Sequence, residues 1–141
     1  MTTKPFMRPV KADYFKQYDT KTVNMRWKMS LFPAQARLFL QCQNNGQIIF
    51  VPVRAEPVMI GVSGTQTNKP HSYVDLTRMN GHQHNILRYH CQIEERDHAL
   101  YVTDLNTRSG TFVNGVRLTP NQPQLLYNRA VLTLGSLIFN V

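Results

Sequence analysis

The sequence predicts an all-β fold, a sandwich of about eleven short antiparallel or mixed strands preceded by an N-terminal arm. Turn-forming residues recur at intervals of roughly ten residues from residue 33 onward, which is the spacing that short strands require. Long segments with the helical period of apolar residues are missing from the same region. The 141 residues suffice for one domain whose core needs no disulfide.

The first hairpin is predicted from two apolar runs around a turn. Residues 36–42 and 47–53 would pair across Asn44-Asn45-Gly46, because Asn and Gly accept the positive φ that hairpin turns require. Pro52 in the second run indicates an edge strand, since proline cannot donate to a ladder.

The remaining strands are predicted from short apolar runs, with polar loops at 63–72 and 77–85. Asn114-Gly115 predicts a second tight hairpin. Residues 25–32 fit either a short helix or an extended arm. The remaining predicted strands span residues 58–61, 74–76, 91–94, 99–104, 110–113, 116–118, 125–127, 130–134 and 137–141.

Positive charge is concentrated near the N-terminus. The formal net charge is +8, and residues 1–30 hold seven Lys and Arg against two Asp, a net charge of +5. We predict an arm at residues 1–33 and a domain at residues 34–141. The arm contains aromatic residues, which disordered tails usually lack. Its candidate partner-binding residues are Phe6, Arg8, Tyr14, Phe15, Tyr18 and Trp27.

Such an arm is expected to dock on a protein partner, because aromatic and Arg anchors dominate protein interfaces. Packing of the arm on its own domain is the alternative. Basic residues interleaved with aromatics can also stack on single-stranded nucleic acid. No nucleic-acid-binding fold follows the arm, so nucleic acid is not an expected partner. Contact with a membrane surface is left open, since basic segments are attracted to acidic lipid head groups.

Nothing in the sequence indicates secretion. Cys42 and Cys91 are too few for a disulfide framework and are expected to be buried, unreactive thiols. The basic N-terminus lacks the apolar stretch of a signal peptide, and no apolar run approaches the ~20 residues that span a bilayer. We therefore expect a cytoplasmic location, with the cytoplasmic face of a membrane complex as one setting.

No motif indicates an enzyme. A Gly-x-Ser-x-Gly elbow and a P-loop are both absent from the sequence, and Glu94 and Glu95 would point to opposite faces of a strand. The histidines have no acidic or Cys ligand at a metal-site spacing. The four of the five histidines considered as metal ligands are His71, His82, His84 and His90. We expect neither catalysis nor a metal or cofactor.

Five short segments carry a resemblance to a known family. They are Ile60-Gly61-Val62, Leu87-Arg88-Tyr89-His90, Asp104-Leu105-Asn106-Thr107-Arg108-Ser109-Gly110-Thr111, Val113-Asn114-Gly115 and Leu134-Gly135. In this order and spacing the chain resembles a forkhead-associated (FHA) domain of the bacterial type, and Val74-Asp75-Leu76 is similar to a further segment of bacterial members. The resemblance covers about residues 36–141. It implies an eleven-stranded sandwich whose loops at one end bind phosphothreonine peptides.

The phosphate-binding positions that the resemblance implies are altered. In the family an Arg follows Ile-Gly, a Ser opens Ser-Arg-x-His and an Asn precedes Gly-Thr; here these positions hold Val62, Leu87 and Ser109. Each lost charge-assisted hydrogen bond costs roughly 1.5–3 kcal/mol, and two losses would weaken binding by about a hundredfold or more. Arg88 keeps the family's Arg, and Arg108 could present a guanidinium from a new direction.

The resemblance also implies structural roles for loop residues. His90 is expected to tie loops together through its imidazole, and Thr111 to bond the backbone through its hydroxyl. Gly61 and Gly135 are expected to allow tight turns. The loop residues with predicted structural roles are Gly61, His90, Gly110, Thr111, Asn114 and Gly115.

These observations predict a non-catalytic protein–protein interaction module. We expect an adaptor or structural subunit of a larger assembly, with lost or weakened phosphothreonine recognition, because a lone sandwich must act through contacts with partners. The alternative is a working phosphothreonine reader in Ser/Thr kinase signalling, whose partner would be a phosphorylated protein.

Overall fold

Eleven strands dominate the part of the chain that the computed structural model describes, residues 32–33, 36–65, 68–70 and 72–141. The strands are β1 (Leu38–Cys42), β2 (Ile48–Val51), β3 (Val58–Gly61), β4 (Tyr73–Asp75), β5 (Cys91–Arg96), β6 (Ala99–Asp104), β7 (Thr111–Val113), β8 (Val116–Arg117), β9 (Gln124–Leu126), β10 (Val131–Leu134) and β11 (Leu137–Asn140). The predicted loop at 77–85 contains two 3₁₀ helices, Thr77–Met79 and Gly81–His84. The all-β prediction is confirmed.

The strands form two sheets. Their orders are β2-β1-β11-β10-β7-β8 and β4-β3-β5-β6-β9. The pairings between described strands are antiparallel except that of β3 with β4, which is parallel. The strand that Pro52 follows lies at the edge of its sheet, as predicted.

The core lies between the sheets and is filled by alternate residues of each strand. In β1, Leu38, Leu40 and Cys42 are buried while the residues between them are exposed. In the same sheet Leu132 pairs with Phe139, and both side chains are fully buried. A slip of one residue would turn these side chains to solvent, so the apolar pattern fixes the register.

The two Asn-Gly hairpins differ in where positive φ occurs. Asn114 (φ 50°) and Gly115 (φ 81°) both adopt left-handed conformations between β7 and β8, as tight hairpin turns require. In the β1–β2 turn the positive φ falls on Gly46 (φ 77°), and the Cys42 N–H donates to the carbonyl of Gln47 over 2.7 Å. The glycine supplies the conformation that was expected from the Asn-Gly pair.

Phe32, the first described residue, contacts the turn between β5 and β6. The Phe32 N–H donates to the carbonyl of His98 over 2.5 Å, and its side chain packs against the core. The arm residues Phe6 to Trp27 lie outside the described residues, so the arm and its boundary stay predictions. In the described ranges no helix is long and apolar enough to cross a membrane.

Candidate functional site

Four connections meet at one end of the sandwich and are called the loop rim below. They are residues 62–65 with 68–70, 76–90, 105–110 and 135–136. The Val62 N–H donates to the carbonyl of Leu87 (3.0 Å), and the Gly135 N–H donates to the carbonyl of Gly110 (3.1 Å). Backbone hydrogen bonds therefore link loops that are distant in sequence.

Asp75, the last residue of β4, anchors the first of these loops. Its carboxylate accepts hydrogen bonds from the N–H and hydroxyl groups of Ser63 and Thr77, and Lys69 Nζ lies 3.4 Å away. Partial burial raises the pKa of Asp75, but the hydrogen bonds from Ser63 and Thr77 outweigh burial and hold the pKa well below its usual range. The carboxylate therefore stays ionised and joins the loop to the first 3₁₀ helix.

Asp104, at the end of β6, anchors the opposite loop in the same way. It accepts bonds from the Thr107 N–H (3.0 Å), the Thr107 hydroxyl (2.6 Å) and the Thr111 hydroxyl (2.7 Å). Burial raises the pKa of Asp104, but these hydrogen bonds lower it by more. The expectation that the Thr111 hydroxyl bonds the backbone is wrong, because the nearer acceptor is this buried carboxylate.

His90 lies fully buried beneath the rim and links the 76–90 and 105–110 connections. Its Nε2 is 2.9 Å from the carbonyl of Gly110, and its Nδ1 accepts from the Leu87 N–H (3.2 Å). Nδ1 is thus an acceptor and Nε2 carries the proton. Burial lowers the pKa of His90, although the Gly110 carbonyl and Asp104 oppose this effect. The imidazole is therefore a neutral cross-link.

Gly61 is required by a close approach between chain segments. It lies within β3, and a Cβ at this position would overlap the carbonyl oxygen of Arg88. The tight-turn explanation for Gly61 is therefore wrong. Gly135 does lie in a turn, with φ 58°, and a Cβ there would overlap the carbonyl oxygen of His84.

Val62 follows β3 and is half-buried against the core. Its Cγ2 is 2.5 Å from the position that a Cβ would take at Gly81. The valine thus packs against the backbone of the second 3₁₀ helix, and it offers no charge and no hydrogen-bond donor at the rim.

Leu87 and Arg88 lie in the 76–90 connection of the rim. The Leu87 side chain is 46% exposed. Arg88 Nη2 donates to the carbonyl of Asn68, and the guanidinium lies 5.3 Å from the centroid of the Tyr89 ring. Arg88 is half-buried and is already engaged by a neighbouring loop and an aromatic ring.

Ser109 uses its hydroxyl within the protein, since Oγ donates to the carbonyl of Asn85 over 2.6 Å. Arg108 beside it is exposed. Arg117 on β8 donates from Nη2 to the carbonyls of Arg108 (2.8 Å) and Thr107 (3.3 Å). The 105–110 connection is therefore hydrogen-bonded both to the 76–90 connection and to the second hairpin.

Comparison with known proteins identifies the fold family. A family model of the FHA domain matches residues 60–135, more than half of the chain. The chain belongs to the FHA domain family. Members of this family are non-catalytic modules that bind protein partners, typically phosphothreonine peptides, and this supports a non-catalytic interaction role here.

Solved structures share the fold of this chain at low sequence identity. The FHA domain of the CT664 protein from Chlamydia trachomatis has 22% identity and a TM-score of 0.54, over 74% of this chain and 95% of that chain. An N-terminal FHA domain from S. cerevisiae, in complex with a phosphothreonine peptide, has 19% identity and a TM-score of 0.54, over 72% and 87%. EmbR from Mycobacterium tuberculosis, in complex with a low-affinity phosphopeptide, has 15% identity and a TM-score of 0.59, over 94% and 32%. No curated protein matches the chain.

This FHA domain brings the predicted site positions together on the loop rim. Val62 and Leu87 are joined by a backbone hydrogen bond, and Ser109 is bonded to Asn85, two residues before Leu87. Whether any of these positions contacts a ligand stays a prediction.

Three residues that hold the rim of this FHA domain had no predicted role. Asp104 and Thr107 lie inside the segment that carries the resemblance, and Arg117 follows the Asn-Gly hairpin. The hairpin turn fixes a register in which Arg117 pairs with Phe112, and the guanidinium lies 5.9 Å from that ring. The turn sequence could therefore have placed Arg117 beside the loop.

Asn114 and His84, both considered in the sequence analysis, have hydrogen-bond partners within the protein, and His71 lies outside the described residues. Asn114 Oδ1 accepts from the Val131 N–H (2.8 Å), so this side chain joins the β7–β8 turn to β10. His84 Nδ1 lies 2.8 Å from Ser136 Oγ. Cys42 and Cys91 are buried, and burial raises the pKa of the Cys91 thiol. Over the described residues, no three His, Cys, Asp or Glu side chains form a metal-binding group.

Proposed function

We propose that this FHA domain is an adaptor or accessory subunit of a protein assembly and has lost the usual recognition of phosphothreonine. The supporting observation is the chemistry of the three rim positions that bind the ligand in the resembled family. Val62 and Leu87 carry no donor, and the Ser109 hydroxyl already donates to the carbonyl of Asn85. Apolar groups at such a position would also remove water from the phosphate without replacing it.

The retained arginine adds little to phosphate binding in this proposal. Arg88 donates to the carbonyl of Asn68 and stacks against Tyr89. The Nη2 group would have to leave the Asn68 carbonyl to bind a phosphate, and Nε, which has no hydrogen-bond partner, is buried. The proposal includes a cytoplasmic location and a partner-binding role for the arm at residues 1–33.

Titration with phosphothreonine peptides tests the loss of recognition. A degenerate peptide pool with a fixed central phosphothreonine is compared with the same pool carrying threonine. We expect dissociation constants weaker than about 100 µM for both pools, close to −5.5 kcal/mol. The triple variant Val62→Arg, Leu87→Ser, Ser109→Asn restores the family's groups, and we expect it to bind the phosphorylated pool at least tenfold more tightly.

A phosphothreonine reader is the second candidate, and exposed Arg108 favours it. This arginine lies next to Ser109 on the rim. Its guanidinium could bind the phosphate of a peptide from a direction different from that used in the family. A dissociation constant tighter than about 10 µM for the unaltered protein, lost in Arg108→Ala, would establish this function and refute the adaptor proposal.

Native purification tests the adaptor role itself. An adaptor is expected to co-purify with a fixed partner, identified by mass spectrometry, whether or not phosphatase is present. Deletion of residues 1–30 is expected to release that partner if the arm carries the contact. Capture that disappears after phosphatase treatment would favour the reader instead.

A further inference from the structure

Three large apolar side chains are exposed together on the first hairpin, and we call them the hairpin patch. Phe39 on β1 is 48% exposed, and Ile48 and Phe50 on β2 are 64% and 47% exposed. Phe39 pairs directly with Phe50, with ring centroids 5.5 Å apart. The patch faces away from the core, since the alternate residues Leu38, Leu40 and Val51 are buried.

Ile48 and Phe50 of this patch also present backbone groups that no described strand pairs. Among the described strands β2 is the outermost of its sheet and pairs with β1 only. The Cys42 N–H bonds the carbonyl of Gln47, so by the alternation of an antiparallel ladder the groups of Ile49 also face β1. The N–H and carbonyl groups of Ile48 and Phe50 therefore face the open edge.

This edge lacks the usual protection against pairing. Edge strands normally carry a charge, a proline or a bulge that discourages another strand. Residues 48–51 are Ile-Ile-Phe-Val, and Pro52 comes only after the strand. The nearest charged residues of the hairpin, Arg37 and Arg54, both lie at its open end.

We propose that β2 pairs with β2 of a second copy of this chain, antiparallel about a two-fold axis at Ile49. In this register Ile48 lies opposite Phe50 of the other copy, and each such pair exchanges two backbone hydrogen bonds. The two sets of apolar side chains stand on one face of a continuous sheet, where aromatic and β-branched neighbours attract each other. Pro52 would lie opposite Gly46 of the other copy and ends the ladder there, because it has no N–H.

Net charge opposes the association of two copies, and an uncharged seam is where this opposition is smallest. The chain carries a net charge of +8, so two copies repel each other over most of their surfaces. The seam itself is uncharged, and the antiparallel arrangement separates the two Arg54 side chains to opposite ends, each beside the polar turn at residues 43–46 of the other copy. A parallel pairing would place the like charges together.

The size of the patch sets the expected affinity. Each of the three side chains exposes roughly 100 Å² of surface. The side chains of the two copies together would bury about 600 Å² in the dimer, and the paired backbone of the two β2 strands would add to this area. Stable interfaces bury about 1,200–2,000 Å². The dimer is therefore expected to be weak, with a dissociation constant between about 10 and 100 µM.

Sedimentation equilibrium of the full chain tests the dimer over about 5–500 µM. We expect concentration-dependent dimerisation that Ile48→Lys weakens by tenfold or more, since a lysine would be buried opposite Phe50. Val116→Lys, at a residue 68% exposed on the other edge of the same sheet, is the matched control and should dimerise like the unaltered protein. Circular dichroism spectra confirm that both variants are folded. A chain that stays monomeric at the highest concentration, or dimers unaffected by Ile48→Lys, would overturn the proposal.

Oxidative cross-linking tests the register. Ile49 would lie opposite itself at about 4.5 Å between Cα atoms, a separation that a disulfide can span. Ile49→Cys should give a covalent dimer on mild oxidation. Gln47→Cys should not, because residue 47 of each copy lies opposite Val51 of the other copy and far from the second introduced cysteine. The native Cys42 and Cys91 are buried and do not compete. Cross-linking of Gln47→Cys without that of Ile49→Cys would refute the two-fold register.

Discussion

The residues beneath the loop rim and those on its surface differ in what they bond. His90, Asp104 and Thr111 are at most 1% exposed, and their polar side chains are hydrogen-bonded within the protein. Leu87 on the surface is 46% exposed and contributes only its backbone to the loop contacts. The lower side chains thus hold the loops in place, whereas the Leu87 side chain takes no part in the hydrogen bonds that do so.

This difference has an energetic reason. Removing one partner of a buried hydrogen bond leaves the other unsatisfied at a cost of about 1–3 kcal/mol, whereas most surface substitutions change stability by less than about 0.5 kcal/mol. Folding therefore maintains the lower residues whatever the rim binds. The FHA architecture of this chain therefore does not by itself establish the ligand.

The largest expected effect of breaking the lower region comes from Gly61→Ala. The added methyl group overlaps the carbonyl oxygen of Arg88, a backbone atom whose loop is held by several hydrogen bonds. We expect a loss of about 3 kcal/mol or more in the free energy of unfolding, measured by urea denaturation. Gly64→Ala is the control, since an added methyl group there has open space around it. The free energy of unfolding should fall by only about 1 kcal/mol, because alanine tolerates the φ of +63° less well than glycine does. Equal losses would show that backbone crowding at Gly61 is relieved by loop movement.

Asp104→Asn is expected to have the next largest effect. An amide group would turn a donor toward the Thr107 or Thr111 groups that now donate to the carboxylate. We expect the free energy of unfolding to fall by about 2–3 kcal/mol. Asp97→Asn changes the same charge in an exposed turn with φ 50°, which Asn tolerates, and should cost less than about 0.5 kcal/mol. If both variants lost a similar amount of unfolding free energy, the change in net charge and not the hydrogen bonds of Asp104 would be the cause.

The pH dependence of stability distinguishes the buried imidazole from exposed ones. Burial lowers the pKa of His90 below the ordinary 6.5, so the unfolded chain takes up a proton before the folded chain does. Stability is therefore complete above about pH 6.5 and decreases toward lower pH, by at most about 1.4 kcal/mol per pH unit. Urea denaturation between pH 7 and pH 5 should show this decrease, and His90→Gln should reduce it. An unaltered slope in His90→Gln would contradict the assignment.

The sequence predicted the strands well because their signals are local. Short apolar runs around Asn-Gly turns predict both β1–β2 and β7–β8. The reasons for Gly61 and Thr111 were not predictable in this way. Gly61 is crowded by Arg88, 27 positions later, and Thr111 bonds to Asp104 across a loop. Such contacts depend on how the loops pack together, and a single sequence does not encode them in its local pattern.

The smallest expected effect is on the rim surface itself, and it sharpens the contrast with the region below. Leu87→Ser removes an exposed side chain but keeps the N–H that donates to His90 and the carbonyl that accepts from Val62. We expect a change of less than about 0.5 kcal/mol in the free energy of unfolding, measured by urea denaturation. Ile86→Ser at the preceding residue, 4% exposed, is the matched control and should cost about 3 kcal/mol or more, since it places a hydroxyl in the core. A loss in Leu87→Ser that approaches the control would mean that Leu87 is a packing residue, and its replacement of the family's serine would then reflect folding and not a change of ligand.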